Sequence, residues 1–395
     1  MRRRLPCTLP ASLVPGQLRS LWAMAWYESC SSPPKVPTFW PIRERGMRLL
    51  ERTPSRIAVL RANGLGDFLE ATPALRALAK GFPSAEITLL TLPWLHGFLT
   101  GRYPYLHRVE AVPCYRGIHS PGRGDPPAAE SAESFFARMR ARHFDLAVQM
   151  HGGGADSNPF VAALGARHTL GLRATGSPPL EHNLRYVYYQ NEVLRYLELV
   201  GLLGVPWDGL QTDLPVLESD RARLAAVWRP AGAPYAVVHP GAGDARRRWP
   251  AERFARVAEH LRRRGLEVVL TGRADEQQVI EAVKAGCAER VVDLSGQLDL
   301  GAMAALVAGA ALVVSNDTGP AHMAYALDTP AVIIFWCGNV ITAGPLRRQR
   351  HRPVLSWTLA CPACGTTGRC ECGASWVAEA TVEDVLAEAD DLLGS

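Results

Sequence analysis

Short apolar runs separated by helix-length stretches of mixed character recur along most of this chain. Arg56-Ile-Ala-Val-Leu-Arg61, Glu86-Ile-Thr-Leu-Leu-Thr91, Val109-Glu-Ala-Val-Pro113 and Phe144-Asp-Leu-Ala-Val-Gln-Met150 read as strands. Helical patterns lie between them, from Phe68 to Gly81 and around 131–142, the second after a Gly-, Pro- and Ala-rich loop at roughly 116–130. The pattern restarts after residue 212. Strands at Tyr235–His239, Glu267–Thr271, Val291–Leu294, Ala311–Ser315 and Ala331–Phe335 alternate with helices at Ala251–Arg264, Asp275–Ala285, Leu300–Ala308 and Ala321–Leu327. Alternation of this kind predicts α/β architecture with doubly wound parallel sheets. The break at Gly209–Glu218, where Pro215 and polar residues intervene, divides it into two Rossmann-like domains, 47–212 and 213–358. A tail, 359–395, ends in a helix over Thr381–Leu393 that Thr381 would cap, with Glu383 and Asp384 suited to its first turn.

A length of 395 residues agrees with two domains rather than one core. No run approaches the roughly 18 apolar residues of a membrane span. Residues 1–46 fit neither domain: they hold scattered Pro, three Trp and Arg2-Arg3-Arg4 without a sustained period. They are expected to be a disordered extension or the product of a start placed upstream of Met47, a basic membrane-surface arm being the alternative. They also explain the net charge of +5, since the first 50 residues hold eight Lys/Arg against two Asp/Glu. The remaining 345 carry 35 basic and 36 acidic residues, which argues against a nucleic-acid-binding body. Cys7, Cys30, Cys114, Cys287 and Cys337 are dispersed, as suits a reducing cytoplasm.

In open parallel sheets the ligand site lies beyond the carboxyl ends of the strands, so the turns there carry the chemistry. Ser315-Asn-Asp-Thr-Gly-Pro-Ala-His322 follows an apolar strand and opens a helix. Asp317, Thr318 and Gly319 therefore stand at a helix N-terminus, an anion site by its free N–H groups and dipole, with His322 about one turn inside. The plainer reading makes Asp317 the helix N-cap. His239-Pro-Gly-Ala-Gly243 precedes Arg246-Arg-Arg248, and small residues beside guanidinium forks suit a diphosphate as well as a solvated basic turn. In Thr271-Gly-Arg-Ala-Asp-Glu276, Glu276 is either a ribose ligand or a first-turn carboxylate. Asn63-Gly-Leu-Gly-Asp67 places Asp67 as a helix cap or as a general base. Ala71 and Thr72 stand where a third glycine would be needed, so this is not a dinucleotide fingerprint and a nicotinamide dehydrogenase is disfavoured.

Gly64-Leu-Gly-Asp67 with Thr72-Pro-Ala-Leu-Arg-Ala-Leu78, His239-Pro-Gly-Ala with Arg247-Arg-Trp-Pro-Ala-Glu-Arg-Phe254, Leu294-Ser-Gly, the 315–322 motif and Ala326-Leu-Asp-Thr-Pro330 occur in this order. Together they resemble the ADP-heptose:lipopolysaccharide heptosyltransferases, glycosyltransferase family 9, over about 48–390. The resemblance implies the GT-B fold, two Rossmann-like domains facing across a cleft. It implies inverting, metal-independent transfer of a sugar, heptose in the best-known case, from a nucleotide diphosphate donor to a lipopolysaccharide-core or related glycan. Asp67 would then be the base. Gly241, Ala242, Gly243 and Arg247 would hold the diphosphate, Glu276 the ribose, and Asp317, Thr318, Gly319 and His322 the phosphates and donor sugar. Asn63, Gly64 and His151, with the stretch through Asn158 and Glu181-His182-Asn183, would lie on the acceptor side. Members commonly have Lys where this chain has Arg247. A lipid-linked acceptor implies a cytoplasmic enzyme working at the inner face of the cytoplasmic membrane. A non-catalytic nucleotide-sugar binding protein and a nucleotide-sugar epimerase of the same fold are the alternatives.

Cys361-Pro-Ala-Cys364 and Cys370-Glu-Cys372 form a C-x2-C-x5-C-x-C cluster. Four thiolates suit structural Zn²⁺, although the C-x-C half is short for a zinc ribbon. Reduced thiols or a labile disulfide fit the same residues. The reaction implied by the resemblance requires no cofactor.

Overall fold

The computed structural model describes residues 49–120, 130–367 and 370–394. The expectations for residues 1–46, and for much of the loop at 116–130, fall outside them. Among the described residues, twelve strands form two six-stranded sheets. The first holds β1 (Arg56–Leu60), β2 (Glu86–Thr91), β3 (Arg108–Ala111), β4 (Leu146–Gln149), β5 (His168–Arg173) and β6 (His182–Arg185). The second holds β7 (Tyr235–His239), β8 (Glu267–Leu270), β9 (Val292–Asp293), β10 (Leu312–Asn316), β11 (Ala331–Trp336) and β12 (His351–Ser356). Both belong to a single compact unit, residues 48–395.

Every pairing is parallel. The orders β3-β2-β1-β4-β5-β6 and β12-β11-β10-β7-β8-β9 are one topology read from opposite edges. The order reverses between β1 and β4 in one sheet and between β7 and β10 in the other. A crevice opens at each of these switch points. The central strands are buried on both faces, β7 and β10 at all five positions, because helices cover both sides.

The helix Leu65–Gly81 shows how the sequence builds this frame. It buries Phe68, Leu69, Leu75 and Leu78 completely, each contributing about 1.5–3 kcal/mol. Pro73 lies inside it and cannot donate to the Leu69 carbonyl. The Thr72 hydroxyl donates to that oxygen instead, at 2.7 Å, so the helix continues. The two halves are joined away from the cleft by a buried ion pair: Arg102 Nη1 and Nη2 meet Asp220 Oδ2 and Oδ1 at 2.6 and 3.0 Å. Asp220 also accepts from the Leu217 N–H at the start of the helix Glu218–Val227.

The strands expected from apolar runs are present within a residue or two, except that the fourth is confined to Leu146–Gln149 and the third ends at Ala111. Two helices begin earlier than the pattern indicates, at Leu65 rather than Phe68 and at Gly319 rather than Ala321. Five further helices (Pro93–Leu99, Ser157–Ala163, Glu192–Gly201, Glu218–Val227 and Cys337–Ala343) and the strands β5, β6 and β12 lie outside the sequence expectations.

Candidate active site

The turns after β1, β7, β8 and β10 converge on one cleft of about 840 Å³ between the two sheets. The first half contributes Gly64, Gly66, Asp67, Glu70 and Trp94. The second contributes Ala242, Gly243, Arg247, Glu276 and the corner Asp317–His322. These are the strand ends that flank both switch points, where this topology places its ligands.

Asp67 occupies the third position of its helix, not the N-cap, which is Gly64. Its Oδ2 reaches back to accept the Gly64 N–H at 3.0 Å. Arg61, the last residue of the sequence run that forms β1, is 2 % exposed and fixes the other side. Arg61 Nε donates to the Asp67 carbonyl at 2.8 Å, and Nη1 donates to the Met150 carbonyl at 2.9 Å. Its Nη2 lies between Asp67 Oδ1, at 3.3 Å, and Glu192 Oε2, at 2.9 Å. The Asp67 side chain nevertheless stays 45 % exposed. It is held rigidly yet can still meet a substrate, as a general base must.

The corner after β10 is built differently from its sequence reading. The N-cap is Thr318 rather than Asp317. Asp317 is buried, and its carboxylate faces cations and donors of the protein. Asn339 Nδ2 donates to Oδ2 at 2.6 Å, Arg247 Nη1 lies 3.3 Å from the same oxygen, and His322 Nε2 stands 3.6 Å from Oδ1. The last is an ionic contact, too long for a hydrogen bond. Burial opposes charge on Asp317, but His322, Arg247 and Asn339 outweigh it and hold the carboxyl below its usual range. Burial likewise opposes charge on His322, and Asp317 and Glu70 outweigh it, so the imidazole titrates above its ordinary value.

At this corner the Ala321 and His322 N–H groups turn back to the Thr318 carbonyl, and Pro320 has no N–H. Among the described residues, those of Thr318 and Gly319 have no such partner, an arrangement suited to an anion.

The three consecutive arginines divide their work. Arg246 is paired with Asp244, and Arg248 Nε donates to the Ala242 carbonyl at 2.8 Å. Arg247 alone reaches the β10 corner, its Nη1 donating to the Asp317 carbonyl at 3.0 Å. Asn316 ties the same parts together: Nδ2 donates to the Pro240 carbonyl at 2.8 Å and Oδ1 accepts the Trp249 N–H at 3.0 Å. His239 also lines the cleft, with Nδ1 3.1 Å from Thr271 Oγ1. Burial pushes its pKa down to about 4, so it is a neutral wall near pH 7.

The glycines separate into two kinds. A Cβ on Gly66 would lie 2.5 Å from His322 Cδ2, and one on Gly241 would collide with the Glu276 carboxylate. Gly241 is thus buried beneath the cleft rather than lining it. It makes room for Glu276, whose Oε2 accepts the Arg273 N–H at 2.8 Å. Gly243 and Gly319 instead face open space, where a ligand could approach the backbone.

Asn63 and His151 are not among the lining residues. His151 Nε2 lies 3.1 Å from the Gly117 carbonyl, and burial followed by nearby Arg61 lowers its pKa to about 4. Asn158 is buried and donates to the Leu172 and Pro178 carbonyls, so it serves the scaffold. Glu181 contacts His168 at the start of β5, and Asn183 closes a local turn on Leu180.

Arg61, Glu192, Glu70, Trp94 and Asn339 escaped the sequence reading. Arg61 carried a signal, a cation ending a buried strand; the others are separated from the motifs or hidden within helical patterns. Glu70, 6 % exposed, lies 3.7 Å from His322, and burial, partly offset by His322, pushes its pKa up to about 8. Asp67, Glu70 and Glu192 approach closely enough to hold a cation, but the Arg61 guanidinium already meets two of these carboxylates.

Two parallel-sheet halves that turn their switch points toward one cleft form the GT-B architecture. Residues 132–366 match the profile of glycosyltransferase family 9 (heptosyltransferase), and the chain belongs to this family. It is similar to lipopolysaccharide heptosyltransferase 3 of Escherichia coli K12, with 24% identity over 302 residues, 70% of this chain and 84% of the relative. Its fold matches a family 9 glycosyltransferase of Veillonella parvula (TM-score 0.70, 20% identity, 88% of this chain and 98% of the other). It also matches E. coli ADP-heptose lps heptosyltransferase II (TM-score 0.66, 20% identity, 86% and 98%). The protein is therefore a glycosyltransferase.

Proposed function

We propose that this enzyme transfers heptose from ADP-heptose to a lipopolysaccharide-core acceptor, with inversion, and that Asp67 is its base. The observation that carries the reading is that an exposed, firmly held Asp67 shares one cleft with the Arg247 and Thr318–Gly319 donors. The names of the relatives support the choice of heptose and of the lipopolysaccharide core.

In this reading the Asp67 carboxylate takes the proton of the acceptor hydroxyl. The acceptor oxygen bonds to the anomeric carbon as the bond to the β-phosphate oxygen breaks on the opposite face. Negative charge grows on the departing diphosphate, where Arg247 and the N–H groups of Thr318 and Gly319 meet it. Asp317 acts by placing Arg247 and His322, since its own charge would repel phosphate. Glu276 stands at the cleft wall for the ribose hydroxyls, and Trp94, 54 % exposed, offers a flat surface to the acceptor sugar. Arg247 and the backbone N–H groups supply the positive charge that a metal would otherwise provide, and this reading gives the transfer step no metal.

No helix among the described residues is long and apolar enough to cross a membrane. A lipid-linked acceptor would bring the enzyme to the inner face of the cytoplasmic membrane as a peripheral protein. The test is incubation of purified enzyme with ADP-heptose and heptose-deficient lipopolysaccharide, without added Mg²⁺ or Mn²⁺. Release of ADP together with a one-heptose mass gain is the expected result. ADP release without acceptor gain, or an isomerised donor, would reject the assignment.

A further inference from the structure

Between β12 and the C-terminal helix Val382–Leu393, the described residues of 357–381 form no strand or helix. Little apolar surface holds its first part together: among the described residues from Thr358 to Ser375, only Cys361 is buried. The segment is nevertheless folded into a defined turn. The Cys361 N–H donates to the Thr366 carbonyl and the Gly365 N–H to the Cys361 carbonyl, both at 2.8 Å. Gly365 takes φ +71°, which a side chain would oppose. This turn brings Cys361 and Cys364 together, and the chain returns so that Cys370 and Cys372 join them. The four Sγ atoms all lie within 4.8 Å of one another.

Four sulfurs about 2.3 Å from one tetrahedral Zn²⁺ stand about 3.8 Å apart, so the observed cluster needs only a small contraction. The one-residue spacing of Cys370 and Cys372 does not keep their sulfurs apart from the other pair. Four thiolates with no carboxylate or imidazole among them select a thiophilic ion and disfavour Mg²⁺ or Ca²⁺. The site is also placed to matter. Just beyond it the Trp376 N–H donates to the Arg246 carbonyl at 2.8 Å, and the Trp376 ring packs edge-on against Trp336 at 5.1 Å. Arg246 lies 5.5 Å over the same ring. The cluster thus closes the segment that backs the turn carrying Arg247.

We propose that Cys361, Cys364, Cys370 and Cys372 bind one structural divalent ion of the zinc or ferrous class. The ion clamps residues 357–376 against the Arg246–Arg247 turn. Binding releases the thiol protons to solvent and transfers no electrons. It is a structural site, separate from the transfer chemistry.

The test uses the full chain purified under reducing conditions from medium supplemented with zinc and iron. Elemental analysis should find one equivalent of metal per chain, its identity distinguishing zinc from iron. The exposed pair Cys364→Ser with Cys372→Ser should lose that metal while keeping the far-ultraviolet dichroism of the folded protein. Cobalt added to the stripped wild type should give the intense visible bands of tetrahedral thiolate coordination, and the variant should not. Limited proteolysis should cut within 357–376 much faster in stripped than in loaded protein. Metal-free wild type with all four thiols alkylatable or disulfide-linked, and no cobalt bands, would overturn the site. Equal proteolysis of loaded and stripped protein would overturn the clamp.

Discussion

Glu70 Oε1 stands 3.7 Å from His322 Nδ1, and this buried contact joins the helix after β1 to the helix after β10. Both groups titrate higher in the folded protein than in the unfolded chain. For Glu70 the folded protein holds its proton more tightly, so stability falls as pH rises from about 4.5 to about 8. The contribution of charged His322 is complete below its unfolded value and is lost as pH rises through its raised folded value. The two slopes have the same sign. Glu70→Gln removes the first, so its melting temperature should fall less than that of the wild type between about pH 5 and about pH 8.5. Parallel curves for the two proteins would refute this assignment.

The same histidine makes Gly66 irreplaceable. His322 is confined between Asp317 and Glu70 and cannot yield to a Cβ 2.5 Å away. Gly66→Ala should cost about 1–3 kcal/mol in urea unfolding, a typical overpacking penalty. An unchanged unfolding midpoint would mean that the two helices can part without cost.

Arg247 is the guanidinium that links the β7 turn to the β10 corner. Charge-assisted hydrogen bonds contribute about 1.5–3 kcal/mol, so Arg247→Ala should weaken ADP binding roughly 10- to 100-fold by calorimetry. Arg247→Lys should retain part of that affinity, since it keeps the charge but loses the fork. Wild-type affinity in the alanine variant would remove Arg247 from the donor site.

Far from the cleft, Arg102→Met leaves Asp220 charged, buried and without its main partner. Breaking such a pair costs about 3–5 kcal/mol, whereas the double variant Arg102→Met with Asp220→Leu should recover most of it. Equal destabilisation of single and double variants would show that the pair's geometry, not its charge balance, matters.

The central strands were legible because burial on both faces leaves an apolar run, as in Ala236–Val238 and Leu312–Val314. The edge strands were not. β6 is His-Asn-Leu-Arg, alternately half-buried and exposed, and β12 carries Pro353, which an edge position tolerates. The apolar pattern of β5 is interrupted by Gly171, where a Cβ would strike Leu180 and Gln149. The motifs at strand ends line one cleft, because this topology gathers those turns on one side of each sheet. What they could not disclose was which side chains are spent internally. Asp317 and Gly241 serve protein partners, while Arg61 and Glu70, outside any recognised spacing, face the motif residues in space.

Asp67→Ala is the decisive variant. Asp67 is exposed toward the cleft, and Arg61 retains Glu192 and Met150 when it is removed. Loss of a general base costs about 10²–10⁴-fold in turnover. The measurement is kcat for heptose transfer, paired with ADP affinity by calorimetry on the same protein. A fall in kcat of that size with ADP affinity within a few-fold of wild type is the predicted result. Turnover near the wild-type rate would contradict the assignment of Asp67 as the base.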